Sequence, residues 1–558
     1  MAFENKTSQG ATRAVAAAVT LLLVGCGAAT PRFPLADIRW QDDDMHPFGP
    51  EPDEQYNSWL WDGADNSIVR HMSEVWLYET SHEAQNVNAL DEVPDSSWFI
   101  NRLGRYTLPD DVFRHGACTP DEPPRPWRVI EAKPGGTSPG MLIMDANGDR
   151  HIFKVDYRDQ EERGTASDAI STRMFHAVGY ATPCNRVVVF DREDIVLDMS
   201  VVDADDDDAP TAESIEEVLG QATPAPGGRL RGSLSAFIQG SLLGGWSFSG
   251  TRDTDLNDVI DHRDRRDVRG QYVMSAWLNH VDARDANNMD VWVETSEGQG
   301  YIQHYVLDAG DSFGIIWPAS HAMSRRLGQS SYADVEHILG DLLTLGLLDR
   351  GWDESVAPPR HPVFGYYEVE RFDPDGWRNG YSNPAYQRRT ERDSAWMARI
   401  VSRFGLQQLR AVVEAGKFSR QEYSDHLVRV LEGRRQRLLE RFLTRLSPMA
   451  WPHVETDRLC LEDLAVSSGL RSAETRVYSA ATHPLNDTPP TPIEVDPRDD
   501  GVCVTLPDVT VASGEPSYLV VDLVAATTNR ETTAPARVHL YQLGPARYQV
   551  VGLERPNG

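Results

Sequence analysis

The sequence predicts an α+β chain: a strand-rich lobe, a helical lobe, and a small β-sandwich-like module at the end. Three observations carry this. Short apolar runs bounded by turn residues fill 127–240, the pattern of half-buried strands. After Asp267 the apolar residues recur at helical spacing, with Val268, Tyr272, Val273, Ala276 and Trp277 marking one face. Beyond Pro448 the composition shifts to Val- and Leu-rich runs (501–506, 517–524, 536–543) separated by Pro, Gly and Asn, which reads as a compact two-sheet module over 449–558.

The strand-rich lobe is expected over 127–240. Asp145-Ala-Asn147-Gly148-Asp149 is a hairpin turn between 141–144 and 151–155, because Asn-Gly supplies positive φ at little cost. A helix over 165–178 follows and is expected to stop at Thr182-Pro183. The runs 187–190 and 195–197 read as a second hairpin, and the acidic, then Pro/Gly-rich stretch 203–228 as a surface insertion. The run Asp205 to Asp208 lacks the spaced ligands of a calcium loop. The helical lobe spans 241–448, and Ser419-Arg-Gln-Glu422 is a capping box opening its last long helix.

A chain of 558 residues has room for two to four domains. Its 40% hydrophobic content is that of a globular protein. A formal net charge of −31 argues against nucleic acid and anionic lipid as non-specific partners.

At the N-terminus, Lys6 and Arg13 precede an apolar run over 14–24. It is too short to span a bilayer, which needs ~20 residues, and has the length of a signal-peptide core. Leu23-Val24-Gly25-Cys26 resembles the bacterial lipobox, which implies a signal peptide over 1–26 and lipid attachment at Cys26. Gly27 in place of Asp points to outer-membrane sorting. The expected location is therefore the bacterial cell envelope, with the membrane as partner through the lipid. Residues 27–57 read as a tether and 58–126 as an N-terminal extension. An oxidising compartment permits disulfides among Cys118, Cys184, Cys460 and Cys503, with the last two the expected pair. No Cys/His spacing suits zinc.

The residues that carry chemistry fall in a fixed order. Lys154 sits in a strand, where its ammonium can pair with phosphates as a point charge. Gly135, Gly136 and Gly140 lie upstream, where backbone N–H groups can close over phosphate. On the next helix Asp168 is the expected partner of Lys154, with Glu161 and Glu162 as alternatives. His280-Val-Asp282 ends a helix, Asn287 follows, and a strand pair leads to Leu307-Asp308-Ala309-Gly310. An Asp to orient a hydroxyl, then an Asn and an Asp to hold a divalent cation, is the layout of a phosphoryl-transfer site. Asp282 is the candidate catalytic base, and Asn287 and Asp308 the candidate metal ligands. Asn288 replaces Asn287 if the register differs by one. The Arg-rich connector 252–269 reads as an internal salt-bridge network more than as a phosphate contact.

On these residues the stretch 133–314 resembles the atypical kinase superfamily that includes HipA, the spore-coat CotH kinases and the secretory-pathway kinases. Asp308-Ala-Gly310-Asp311-Ser-Phe313-Gly314 is similar to their metal-binding Asp-x-Gly segment. The 250–258 and 276–308 segments also resemble a group of bacterial envelope proteins. The resemblance implies a two-lobe kinase-like core, ATP with Mg²⁺ or Mn²⁺, and transfer of phosphate to a protein or small-molecule hydroxyl. Ala309 and Ala283-Arg284 depart from the family pattern. Two other readings stand beside this one. The first is a pseudokinase-like envelope scaffold without catalysis; the second is a metal hydrolase built on His280, Asp282, His304 and Asp308.

Overall fold

The computed structural model describes residues 31–56, 65, 69, 82–132, 139–156, 160–200, 209–316, 321–350, 352, 361–483, 490–507, 516–528 and 532–556. The signal peptide with Cys26, Gly135, Gly136 and the run Asp205 to Asp208 lie outside them.

Helix α1 (Asp110–His115) precedes a sheet built from β1 (Trp127–Ala132), β2 (Gly140–Met144), β3 (Arg150–Lys154), β4 (Asn185–Phe190), β5 (Ile195–Leu197), β6 (Thr223–Pro224) and β7 (Leu230–Ala236). Its order is β4-β7-β3-β2-β1-β5, with β6 beside β7. The β2–β3 hairpin forms as expected, with Met144 opposite Arg150 and Gly148 at φ 92°.

The expected β4–β5 hairpin does not form. β4 spends its ladder on β7 along its full length, and β5 pairs in parallel with β1 at the other edge. Only residues 191–194 join the two edges, so the sheet curls until they approach. Phe190 of β4 and Trp127 of β1, the strand beside β5, have ring centroids 5.6 Å apart in the enclosed core.

Helix α2 (Arg163–Val178) packs against this lobe and is buried along nearly its whole length. It ends at Gly179 (φ 141°), before the predicted Thr182-Pro183 stop. A Cβ at Gly179 would sit 2.4 Å from the Phe99 ring, so this exit admits only glycine. The predicted surface insertion is partly structural. Helix α3 (Ala212–Leu219), capped by Thr211, buries Ile215 and Leu219 in the lobe core, and β6 extends the sheet.

The second lobe opens with a three-stranded sheet, β10-β9-β8, of β8 (Ser241–Gly244), β9 (Asn288–Ser296) and β10 (Gln299–Val306). Around it lie α4 (Arg266–Leu278), α5 (His321–Arg326), α6 (Val335–Leu343), α7 (Pro384–Gln387), α8 (Glu391–Val401), α9 (Leu406–Glu414) and α10 (Gln421–Leu438). Trp277 of α4 is buried against Phe404 with centroids 5.3 Å apart, and its Nε1 donates to Leu431 O at 2.8 Å. The predicted capping box at Ser419 is absent. The helix starts two residues later, and the Ser419 hydroxyl donates to the Glu162 carboxylate instead.

The connector arginines turn inward. Arg266 pairs with Asp91 and Asp393, Arg269 with Asp264 and Asp393, and Arg252 with Asp290, all at buried positions. Asp91 also receives Arg555 from the end of the chain at 3.1 Å. This network ties the extension, the helical lobe and the C-terminal module together.

That module has two sheets around one apolar core. The first is β11 (Met449–Glu455), β12 (Arg458–Asp463), β15 (Val495–Pro497) and β16 (Gly501–Thr505). The second is β13 (Arg476–His483), β14 (Thr491–Ile493), β17 (Ser517–Thr527), β18 (Ala536–Gly544) and β19 (Arg547–Glu554). Cys460 and Cys503 face each other across β12 and β16 and form a disulfide, and Cys118–Cys184 forms a second. Joint replacement of Cys118 and Cys184 by serine is expected to cost about 2–4 kcal/mol, read from urea unfolding.

Residues 31–56, predicted as part of a tether, run along the body instead. Phe33 packs on Gly552 and His539, Trp40 stacks on Trp451, and the Asp44 carboxylate accepts from Ser97. The apolar residues among the prolines and acids supply this contact. Among the described residues no helix is long and apolar enough to cross a membrane.

Candidate active site

Strand alternation puts His151 and Phe153 of β3 into the lobe core and leaves Lys154 on the other face, toward α2. Gly140, the first residue of β2, lies directly opposite Lys154 in the ladder. Lys154 Nζ is 3.8 Å from Asp168 Oδ2 and 3.5 Å from Asp308 Oδ2. The lysine, the helix carboxylate and the loop carboxylate therefore meet at one point between the lobes.

Of the alternatives to Asp168, Glu161 is exposed and Glu162 is committed to Ser419. Asn185, at the start of β4, fixes Asp168 by donating from Nδ2 to Oδ1 at 2.8 Å. Burial raises the Asp168 pKa; Lys154 pulls it down, and the fields of Asp308 and Asp311 add to the rise.

α4 delivers the second group. Its C-terminus is capped by a buried side chain from α10: Arg434 donates to Trp277 O at 2.9 Å and Ala276 O at 2.6 Å. Asn279 then takes the left-handed conformation (φ 57°), accepts from Trp377 Nε1, and releases the chain into His280-Val281-Asp282. Asn287 follows in a short turn and donates from Nδ2 to Asp282 O at 2.7 Å and Oδ2 at 2.9 Å. Asn287 is thus the one that reaches Asp282. Asn288 is drawn into β9, and its amide donates to Arg284 O.

Asp308 follows β10 at φ 27° and keeps a half-exposed side chain. Leu307 N donates to Asn287 O at 3.0 Å, so the two candidate metal ligands sit on backbone segments joined directly. From α2, Arg163 and Ser167 both donate to Gly310 O at 2.7 Å, which fixes the loop against the helix carrying Asp168.

One organising residue was assigned no role from sequence. Asp311 accepts from Val281 N at 2.6 Å and Asp282 N at 3.0 Å, and pairs with His280 Nδ1. It clamps the Asp282 loop to the Asp308 loop. Burial works against the His280 imidazolium, but Asp311, with Asp282 and Asp308 behind it, outweighs burial and raises its pKa. The only signal in the sequence was an acid three residues after Asp308. Arg163, Ser167 and Asn185 left no pattern there at all.

Burial raises the Asp282 pKa to about 6, with Asp311 adding to the rise, while Arg284 at 3.2 Å and the Asn287 amide oppose it. A base at this position is charged, and so competent, above about pH 6. Removing the cation in Arg284→Ala raises the Asp282 pKa further. The acid limb of a kcat/KM–pH profile is expected to move to higher pH in that variant.

The donor set suits a hard divalent cation. Asp308 offers carboxylate oxygens. Asn287 uses its amide nitrogen on Asp282, and its Oδ1 accepts no hydrogen bond among the described residues. The hydrolase grouping is not assembled. His280 is bound to Asp311, while His304 pairs with Asp290 at 2.6 Å and stacks on Trp98. The one close cluster of metal-type side chains among the described residues, His453, Glu455 and Cys460, uses a cysteine already in a disulfide.

No protein-family model matches the chain, and no curated protein matches it. Among solved structures it is similar to the crystal structure of a Helicobacter pylori proinflammatory kinase, CtkA. Identity is 11% over 57% of this chain and 95% of that one, with a TM-score of 0.31. It is also similar to the Golgi casein kinase with Mn/ADP bound (8% identity, 69% and 87% coverage, TM-score 0.28) and to a second structure of the Golgi casein kinase (8%, 58% and 73%, 0.27). Likenesses of this size neither fix a family nor transfer an activity. The chemistry assigned to this chain rests on its own side chains.

Proposed function

We propose that this chain is a metal-dependent phosphotransferase with a kinase-like two-lobe core, moving phosphate from ATP to a hydroxyl of an envelope protein or small molecule. One observation carries the reading: Lys154 stands between Asp168 and Asp308, beside a loop in which Asn287 holds Asp282. Lys154 would pair with the α- and β-phosphates, kept in place by Asp168. Asn287 and Asp308 would hold Mg²⁺ or Mn²⁺, which supplies neutralisation of phosphate charge when bound. Asp282 orients the acceptor hydroxyl and takes its proton as the new O–P bond forms, while the bond from the terminal phosphorus to the bridging oxygen breaks and ADP leaves. Asp311 and Arg434 hold that loop at the required place, so positioning and electrostatics supply most of the acceleration. Gly140, opposite Lys154 in the ladder, would lie over the phosphates.

The same reading puts the protein in the bacterial envelope, reached through export and lipidation at Cys26. The lipobox-like sequence and two disulfides support it.

The test is transfer of the labelled terminal phosphate of ATP, with Mg²⁺ or Mn²⁺, to the protein itself or to envelope extract. Asp308→Ala is expected to lose about 100-fold or more of the rate, while an exposed control, Asp43→Asn, keeps it. Absence of any metal-dependent transfer by the wild-type chain would leave the core as a binding scaffold.

A further inference from the structure

Helix α6 leaves its apolar residues in the open. The side turned to the protein carries His337, which meets Ser330 and the Trp352 ring, while the exposed Asp341 pairs with Arg350. Its apolar side faces water. Ile338, Leu339, Leu342 and Leu343 on the helix, with Leu345 and Leu347 just after it, are 51–87% exposed, and no residue of the helix is buried. The turn that follows is well formed, with Gly346 N donating to Asp341 O at 2.8 Å and Leu345 at φ 55°. The leucines are therefore presented by a built element.

These six side chains offer on the order of 700 Å² of apolar surface, above the few hundred Å² a monomer ordinarily leaves open. That is close to the roughly 800 Å² each partner contributes to a standard interface. Charge narrows the choice of occupant. The segment 335–349 holds Glu336, Asp341 and Asp349 and no Lys or Arg, so it lacks the basic rim of a helix that lies on anionic lipid. At its border Glu336 pairs with Arg378 and Asp341 with Arg350, giving a rim of both signs around an uncharged centre. Such a patch complements itself under a two-fold axis, which also closes the assembly at two copies.

We infer that α6 and the leucine turn after it form the dimer interface of this protein, each copy covering the other's apolar face. The inference stands apart from the proposed chemistry, since no residue of the candidate site enters it. Because each chain carries a formal charge of −31, the contact is apolar and works against net repulsion. Salt that screens the repulsion therefore strengthens it.

Sedimentation velocity of the full chain, across a concentration series at low and physiological salt, tests this. The expected result is a monomer–dimer equilibrium that shifts toward dimer with salt. It should be lost in Leu342→Asp/Leu345→Asp, with the thermal midpoint of that variant's monomer unchanged. A wild-type chain that stays monomeric at all concentrations overturns the proposal. So does a dimer untouched by the double substitution. A monomer that instead floats with zwitterionic lipid vesicles through these leucines also overturns it, in favour of a lipid surface.

Discussion

Asp282→Asn is expected to lower phosphate transfer by about 10²–10⁴-fold, the usual contribution of a positioned base, with nucleotide binding retained. The amide keeps the shape of the carboxylate, so the loop stays clamped by Asp311 through Val281 N and Asp282 N. It cannot accept the hydroxyl proton. In the wild type the carboxyl pKa is raised to about 6 by burial. The rate should therefore climb as pH rises through about 6 and level off above it. The residual rate of Asp282→Asn should lose this acid limb. A variant with full activity, or one that keeps the same limb, would show that the base lies elsewhere. Asp311→Asn makes a useful companion: as a positioning residue it should reduce kcat and shift the profile without removing the limb.

Asp393→Ala is expected to be the most damaging single change to stability, at about 3–5 kcal/mol, because it strands buried charge. The carboxylate lies at 0% side-chain exposure and receives Arg266 at 3.0 Å and Arg269 at 3.0 Å, whose side chains are 1% and 0% exposed. Removing it leaves two guanidiniums in a site where water cannot replace the lost partner. Arg266 still has Asp91, and Arg269 still has Asp264, so the lobe loosens before it unfolds. Thermal denaturation should show a fall of about 10 °C in the transition of the helical lobe. A shift within 1–2 °C would mean that the network is hydrated, contrary to the burial described here. Asp91 belongs to the same network, and its pKa is held near 2: burial pushes it up, but Arg266, Arg555 and Arg399 outweigh that. Its depressed value means it stabilises the fold above the ordinary carboxylate range. That contribution fades as pH falls from about 4 toward 2.

Much of the layout was legible because it is written in local patterns. Asn147-Gly148 defined one hairpin, and the apolar spacing around Trp277 defined the helix, which ends at Leu278, just before His280-Val-Asp282. The series Lys154, Asp282, Asn287 and Asp308 was readable in order because each residue lies at the end of a strand or helix that the pattern located. The failures share a cause. The pairing of β4 with β7 instead of β5 depends on partners distant in sequence, which alternation cannot reveal. Ser419 carries a local capping signature, but Glu162 from 257 residues away claims its hydroxyl. The segment 31–56 has the composition of a linker, and its few aromatic residues decide its path by packing on the C-terminal module. In the candidate site, the residues that do the positioning (Asp311, Arg163, Asn185, Arg434) act through backbone groups and buried partners. No spacing rule marks such contacts.

The proposed metal–nucleotide site is bounded by Lys154, Asp168 and Asp308. Thermal denaturation of the chain with and without ATP and Mg²⁺, beside Asp308→Ala, addresses it directly. A ligand that binds only the folded state must raise the midpoint, by about 2.7 kcal/mol of stabilisation at a hundred times its Kd. The expected rise needs both metal and nucleotide and vanishes in Asp308→Ala. No rise at millimolar nucleotide, or an equal rise in the variant, would contradict it.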